Sequence, residues 1–126
     1  MNLISSHELI KSRKNLEIIQ ITAKQIQKDF QLFDETISFS GKEENAYKEL
    51  SQQILPIIDR LLNLDSARFF SLLYTIDVKE KVIKDLLFSE DKDKNPSKEI
   101  TELIIERELL KVLTRKYFSE QNKSHE

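Results

Sequence analysis

A chain of 126 residues is long enough for one domain with an ordinary core and short for two. A single glycine (Gly41) and two prolines (Pro56, Pro96) are too few for the tight turns of a strand-rich fold, and the lack of cysteine excludes disulfides, thiolate metal sites and cysteine nucleophiles. A net charge of −2 provides no global attraction to nucleic acid or to anionic lipid.

The first helix is expected over about 6–34. Ser5 and Glu8 have capping-box spacing, with Ile4 placed to staple against Leu9. Leu16, Ile19, Ala23, Ile26, Phe30 and Phe33 then alternate steps of three and four, the spacing of an apolar seam. The same stretch has a second apolar side, Ile10, Ile18, Ile21 and Leu32, interleaved with Lys14, Gln25 and Lys28. One rod of that length measures about 42 Å, more than the roughly 36 Å width of a compact domain of this size. It is therefore expected to overhang, to bend or to pack on another copy. Ile10, Ile18, Ile21 and Leu32 are the candidate homodimer or partner surface, weighed against a plainer reading as scattered surface side chains.

Ser40 and Glu43, with Gly41 in the turn, mark a second start. In a helix over about 43–64, Tyr47, Leu50, Ile54, Ile57, Ile58, Leu61 and Leu62 occupy half the circumference. Pro56 falls on the polar face, where it is expected to kink the helix without ending it. Asp65 or Ser66 opens a short helix through Ile76 bearing Phe69, Phe70, Leu72 and Leu73. Asp77 and Glu80 form another box, opening a helix to Phe88 with Val82, Ile83, Leu86 and Leu87. The charged, apolar-free stretch 89–97 is expected as an exposed loop, and Asn95-Pro96 as the cap and first position of the last helix. That helix is expected over about 97–119, followed by a tail over about 120–126.

The last helix has no polar side. Ile100, Leu103, Ile104, Ile105, Leu109, Leu110, Val112, Leu113, Tyr117 and Phe118 are spread nearly all the way round it. A helix apolar on all faces is buried on all faces. The expected fold is a single all-α domain, an irregular five-helix bundle in the order long-long-short-short-long, with the C-terminal helix central. Glu106 and Arg107 then project from the middle of that helix, where burial without partners is costly. An internal ion-pair network is expected, supplied by Asp59, Asp65, Arg68, Asp77 and Arg115; the alternative is a charged ligand pocket.

Reactive constellations are missing. His7 and His125 stand at opposite ends, and neither a zinc helix nor a Glu-x-x-His pair occurs. Glu43, Glu44, Glu49, Glu99, Glu102, Glu106 and Asp85 are isolated spacings and not a magnesium-binding cluster. One glycine cannot build a phosphate-cradling loop. No catalytic, cofactor-binding or metal-ligating residue is assigned. A helix-turn-helix around Thr75-Ile76-Asp77 would read with Lys79, Lys81 and Lys84, but Glu80 and Asp85 dilute them. The mildly basic stretch 111–123 equally complements a helix C-terminus. Nucleic-acid binding is disfavoured.

The segments Leu72–Leu87 (LLYTIDVKEKVIKDLL) and Leu103–Tyr117 (LIIERELLKVLTRKY) resemble parts of a small family of uncharacterised bacterial helical proteins. The resemblance runs roughly from Leu61 to Tyr117, less than half the chain, and implies a bacterial, cytoplasmic, all-helical protein without an assigned activity or site.

Met1–Lys14 has no apolar run of the kind a secretory signal needs, and no stretch is long enough to span a membrane. The expectation is a cytoplasmic, non-enzymatic helical interaction, adaptor or regulatory protein, self-associating through its first helix, with no cofactor and no membrane partner. The alternatives are a small-ligand- or nucleic-acid-binding regulator and, behind both, a metal-dependent hydrolase.

Overall fold

The structure, a computed structural model, describes residues 5–12, 15–42, 45–90 and 95–124, which hold six helices and no strand. These are α1 (Ser6–Ser12), α2 (Leu16–Gln31), α3 (Ala46–Leu64), α4 (Ser66–Ile76), α5 (Glu80–Leu87) and α6 (Pro96–Ser124). The fold is all-α, with six helices where five were expected. No helix among the described residues is long and apolar enough to cross a membrane.

The extra helix arises because the expected first rod is two. Asn15 stands in extended backbone, and its side chain accepts a hydrogen bond from the Ile18 N–H at 3.2 Å, capping α2. Asparagine offers the backbone a local partner that competes with the helical ladder. The apolar seam begins at Leu16, directly after the break, so its spacing says nothing of where the helix before it ends. No overhanging first rod exists. The long rod is α6, whose 29 residues extend about 44 Å.

Ser5 caps α1 as expected, its Oγ accepting from the Glu8 N–H at 3.1 Å. The Ile4 staple and the Ser40–Glu43 box fall outside the described residues. Ser40 instead ties the segment after α2 to α3, donating from its N–H (2.5 Å) and Oγ (2.6 Å) to the Glu49 carboxylate. Pro56 lies exposed within α3, which continues unbroken to Leu64. Asp65 closes α3 through its N–H and caps α4 through its side chain, accepting from the Arg68 N–H at 3.1 Å.

Asp77 is not the cap of α5. It ends α4 in the left-handed region (φ 74°), with the Val78 N–H reaching back to the Leu73 carbonyl at 2.9 Å. Aspartate is one of the few residues besides glycine that enters this region readily. Lys79 precedes α5 and provides no side-chain cap.

The last helix is central, as expected: α6 packs against each of the other five. Asn95 caps it, accepting from the Lys98 N–H at 3.4 Å, with Pro96 at its first position. It runs to Ser124, past the expected end at 119. Ile100, Ile104, Ile105, Leu109 and Val112 are buried, whereas Tyr117 and Phe118, near its far end, are exposed. A large cluster joins Ile26, Phe30, Ile54, Ile58, Phe69, Leu72 and Ile104, and a smaller one joins Leu9, Ile18, Leu109 and Val112. Each fully buried leucine or isoleucine contributes about 1.5–3 kcal/mol.

The second cluster corrects the expected partner surface. Ile18 is 3% exposed and packs in the core, while Ile10, Ile21 and Leu32 are exposed. Ile10 is moreover on α1 and the others on or just beyond α2. The four side chains do not form one face.

Asn15→Ala is expected to lower stability by about 1 kcal/mol, the usual cost of losing a helix cap. Urea unfolding at constant pH measures it, and an unchanged midpoint would mean that Asn15 does not hold the break.

Candidate functional site

Helices α2 and α6 run antiparallel, Asp29 meeting Lys111 while Gln25, one turn earlier, meets Arg115 four residues on. Between the two helices lie the most deeply buried charged side chains described. Glu108 is 0% exposed and Asp29 is also buried. Lys111 Nζ lies 3.2 Å from Asp29 Oδ2 and in contact with Glu108 Oε1. The cationic position beside the two carboxyl groups is thus filled by a side chain of the protein itself. Gln25 Nε2 donates to Asp29 Oδ1 at 3.0 Å, and Arg115 Nη2 donates to Gln25 Oε1 at 2.8 Å.

Neither oxygen of Glu108 accepts a hydrogen bond of good geometry, although Lys111 lies against one of them. Burial pushes the Glu108 carboxyl up to about 8, the neighbouring Asp29 carboxyl adds to the rise, and Lys111 offsets only part of it. The charge balance explains the direction. Two ionised carboxyls beside one ammonium leave a net negative charge in a medium that solvates it poorly. A proton held on Glu108 removes that charge.

The expected buried charges, Glu106 and Arg107, stand two and one residues before Glu108. Arg107 pairs with Asp77 at 2.5 Å, as one of the expected partners, but the Asp77 side chain is 70% exposed. The pair is at the surface and not an internal network. Glu106 makes no ion pair among the described residues and lines, with Arg107, a groove of about 310 Å³ floored by Leu103 and Leu110. The other expected partners are used elsewhere. Asp59 accepts from Ser97 Oγ at 2.9 Å, Asp65 caps α4, and Arg68 donates to the Phe33 carbonyl beside Asp34. Arg115 belongs to the α2–α6 chain of contacts.

A signal for Glu108 existed. It follows Ile104 by four residues and precedes Val112 by four, so it continues a buried stripe. Asp29 likewise follows Ile26 by three. A carboxylate at a core register on each of two helices, with Lys111 one turn beyond Glu108, was the pattern to find.

Outside this cluster the same two helices form a groove of about 510 Å³. On α2, Glu17, Ile21, Lys24 and Lys28 follow one another at steps of four, three and four, which places them on one stripe. On α6, Val112, Arg115 and Lys116 face them. Four cations therefore surround an apolar floor of Ile21 and Val112, with Glu17 as the one lining carboxylate. Ile21 is 42% exposed. Lys24, Lys28, Arg115 and Lys116 make no ion pair among the described residues.

His7 is exposed on α1, and His125, with Glu43 and Glu44, lies outside the described residues. Compared with protein families, curated proteins and solved structures, the chain matches none. The site is therefore read from its own chemistry.

Glu108 connects the cluster to pH. Its carboxyl is raised from 4.5 to about 8, so between those values the folded chain holds a proton that the unfolded chain does not. This contribution is fully present below pH 4.5 and is lost as pH rises through 8. Stability is expected to fall with a slope of up to about 1.4 kcal/mol per pH unit in that window. Glu108→Gln should remove this part of the slope and be more stable than the parent at pH 9. Urea midpoints of both proteins from pH 5 to 9 measure the difference. Parallel curves would show that Glu108 does not carry the proton.

Proposed function

We propose that this protein is a non-enzymatic interaction module that docks an acidic, partly apolar segment of a partner protein in the α2/α6 groove. The observation that carries it is the set of four cations, Lys24, Lys28, Arg115 and Lys116, gathered around Ile21 and Val112 with no ion pair among the described residues and with Glu17 as the one carboxylate of the lining. The chain as a whole is slightly acidic, so the grouping is local and does not reflect composition. Like charges at helical spacings of three and four destabilise a helix. A fold that keeps them together without internal pairs carries a local conflict of the kind found at functional sites.

The chemistry of the lining favours a peptide segment. An apolar floor between two parallel walls suits a side-chain ridge from a helix, and the basic rim suits flanking glutamates or aspartates. A nucleic-acid groove would be expected to present aromatic side chains for base stacking, and this lining has none. The buried acid cluster supports the non-enzymatic part of the proposal, because Glu108 is sealed from any substrate and its neighbours are occupied with one another.

The test uses an acetylated, fluorescently labelled helical peptide carrying four glutamates around two leucines. Anisotropy titrations at low salt are expected to show binding that weakens as salt is added. The combined variant Lys24→Glu, Lys28→Glu, Lys116→Glu is expected to lose at least about tenfold in affinity. Equal binding by the variant would refute the proposal. Tighter binding of a DNA duplex of equal charge would make the groove a nucleic-acid site, and a dimer in sedimentation that the triple variant abolishes would make a second copy its occupant.

A further inference from the structure

The two walls of the basic groove are held by the buried cluster, and the contacts between them are continuous. Arg115 on the groove rim donates to Gln25, Gln25 donates to Asp29, Asp29 accepts from Lys111, and Lys111 lies against Glu108. A groove cation is therefore joined by three intervening side chains to a carboxyl with no solvent exposure. Resting on the docking function proposed above, we infer that Glu108 is a proton switch for that groove: the protonated cluster favours an acidic partner segment, and the ionised cluster disfavours it.

Asp29 from α2 and Lys111 from α6 are the charged groups whose hydrogen bonding and charge act on Glu108. While Glu108 keeps its proton, the cluster is neutral and the four rim cations act on an incoming segment undiminished. Loss of that proton places a net negative charge directly behind the groove, in a medium that screens it weakly. An acidic segment then meets repulsion from within. The second charge also leaves Asp29 and Glu108, one on each wall, repelling each other across a single ammonium.

Linkage works in reverse with equal strength. A docked acidic segment adds negative potential beside Glu108 and makes it harder to ionise, so docking takes up a proton wherever the free protein is partly ionised. Burial and the Asp29 carboxyl place that region near pH 8. Lysine and arginine side chains ordinarily titrate above it, and free carboxylates below it. A peptide whose only ionisable groups are glutamates keeps its charge throughout.

The experiment is isothermal titration of the acetylated glutamate–leucine peptide at pH 8 in buffers of different ionisation enthalpy, together with its affinity from pH 6.5 to 9.5. The parent protein is expected to take up a fraction of a proton per peptide and to lose about fivefold or more in affinity across that range. Glu108→Gln, which keeps the shape and neutrality of the protonated acid, is expected to bind with the low-pH affinity throughout and to take up no proton. Asp29→Asn leaves Lys111 as the only ionised neighbour and is expected to move the transition to lower pH. It carries the same test should Glu108→Gln not fold. Proton uptake and a pH profile unchanged in these variants would overturn the switch and leave docking standing. No binding of the peptide by the parent protein at any pH in low salt would remove docking itself, and the switch with it.

Discussion

A helix with apolar side chains on every face is stable only in the middle of other helices, and α6 imposes that condition on the rest of the chain. Five helices must surround it, and each must offer an apolar stripe toward it. α3 does so with Leu50, Ile54, Ile58 and Leu61, and α2 with Ile19, Ala23, Ile26 and Phe30. Against this requirement Glu108 stands out. It occupies a position at which a leucine would serve the core better, and replacing buried charged groups by well-packed apolar ones is often neutral or stabilising. A carboxyl group at that position is easier to understand if its charge acts outside the core.

The position of the cluster supplies that connection. α2 is amphipathic in an unusual sense. One side carries the seam that packs into the main core, the opposite stripe carries Ile21, Lys24 and Lys28, and Gln25 and Asp29 stand between them. The boundary residues touch both the buried acid and the groove cation Arg115. A helix pair that met only through apolar contacts could slide by a turn at modest cost. The directed contacts from Asp29 and Gln25 to Lys111 and Arg115 are satisfied in one register only. Groove geometry and buried charge therefore have a common origin in the α2–α6 alignment.

The parts of this fold legible in the sequence are those governed by helical period. Side chains recurring every three and four residues identified the buried faces of α3 and α4, and the all-round apolar α6 correctly placed itself at the centre. Asp65 and Ser5 read correctly as caps because a short polar side chain just ahead of an apolar run has few other uses. Asp77 was read as the wrong cap and Asn15 drew no reading at all, for a shared reason. A polar residue next to a helix boundary can close one helix or open the next, and the local spacing is the same in both cases. Asn15 opened a helix one residue ahead of the apolar seam, whose period carries no information on what precedes it. Asp77, three residues before a glutamate, looked like a cap but was needed in the left-handed conformation that ends α4, and its carboxylate was taken by Arg107 from a segment 30 residues away.

Glu108 illustrates a different limit. Adjacent charges in an apolar helix drew attention to Glu106 and Arg107, yet adjacent residues point about 100° apart and cannot share one environment. Whether a charge is buried depends on its register against flanking apolar residues, and by that measure Glu108, between Ile104 and Val112, was the residue bound for the interior. Its partner Asp29 could be recognised only by pairing two distant helices, which no local pattern specifies. The basic groove was hidden for the same reason. Lys24 and Lys28 look like an ordinary solvated face, and Arg115 and Lys116 like a charge-complemented helix end, until the antiparallel alignment sets one pair opposite the other. Once that alignment exists, neither pair can be neutralised by the other, and of the carboxylates nearby Asp29 and Glu108 face the interior with Lys111, leaving Glu17 alone in the lining. The cations gathered outside and the acids buried inside are two consequences of how one helix pair distributes its charge.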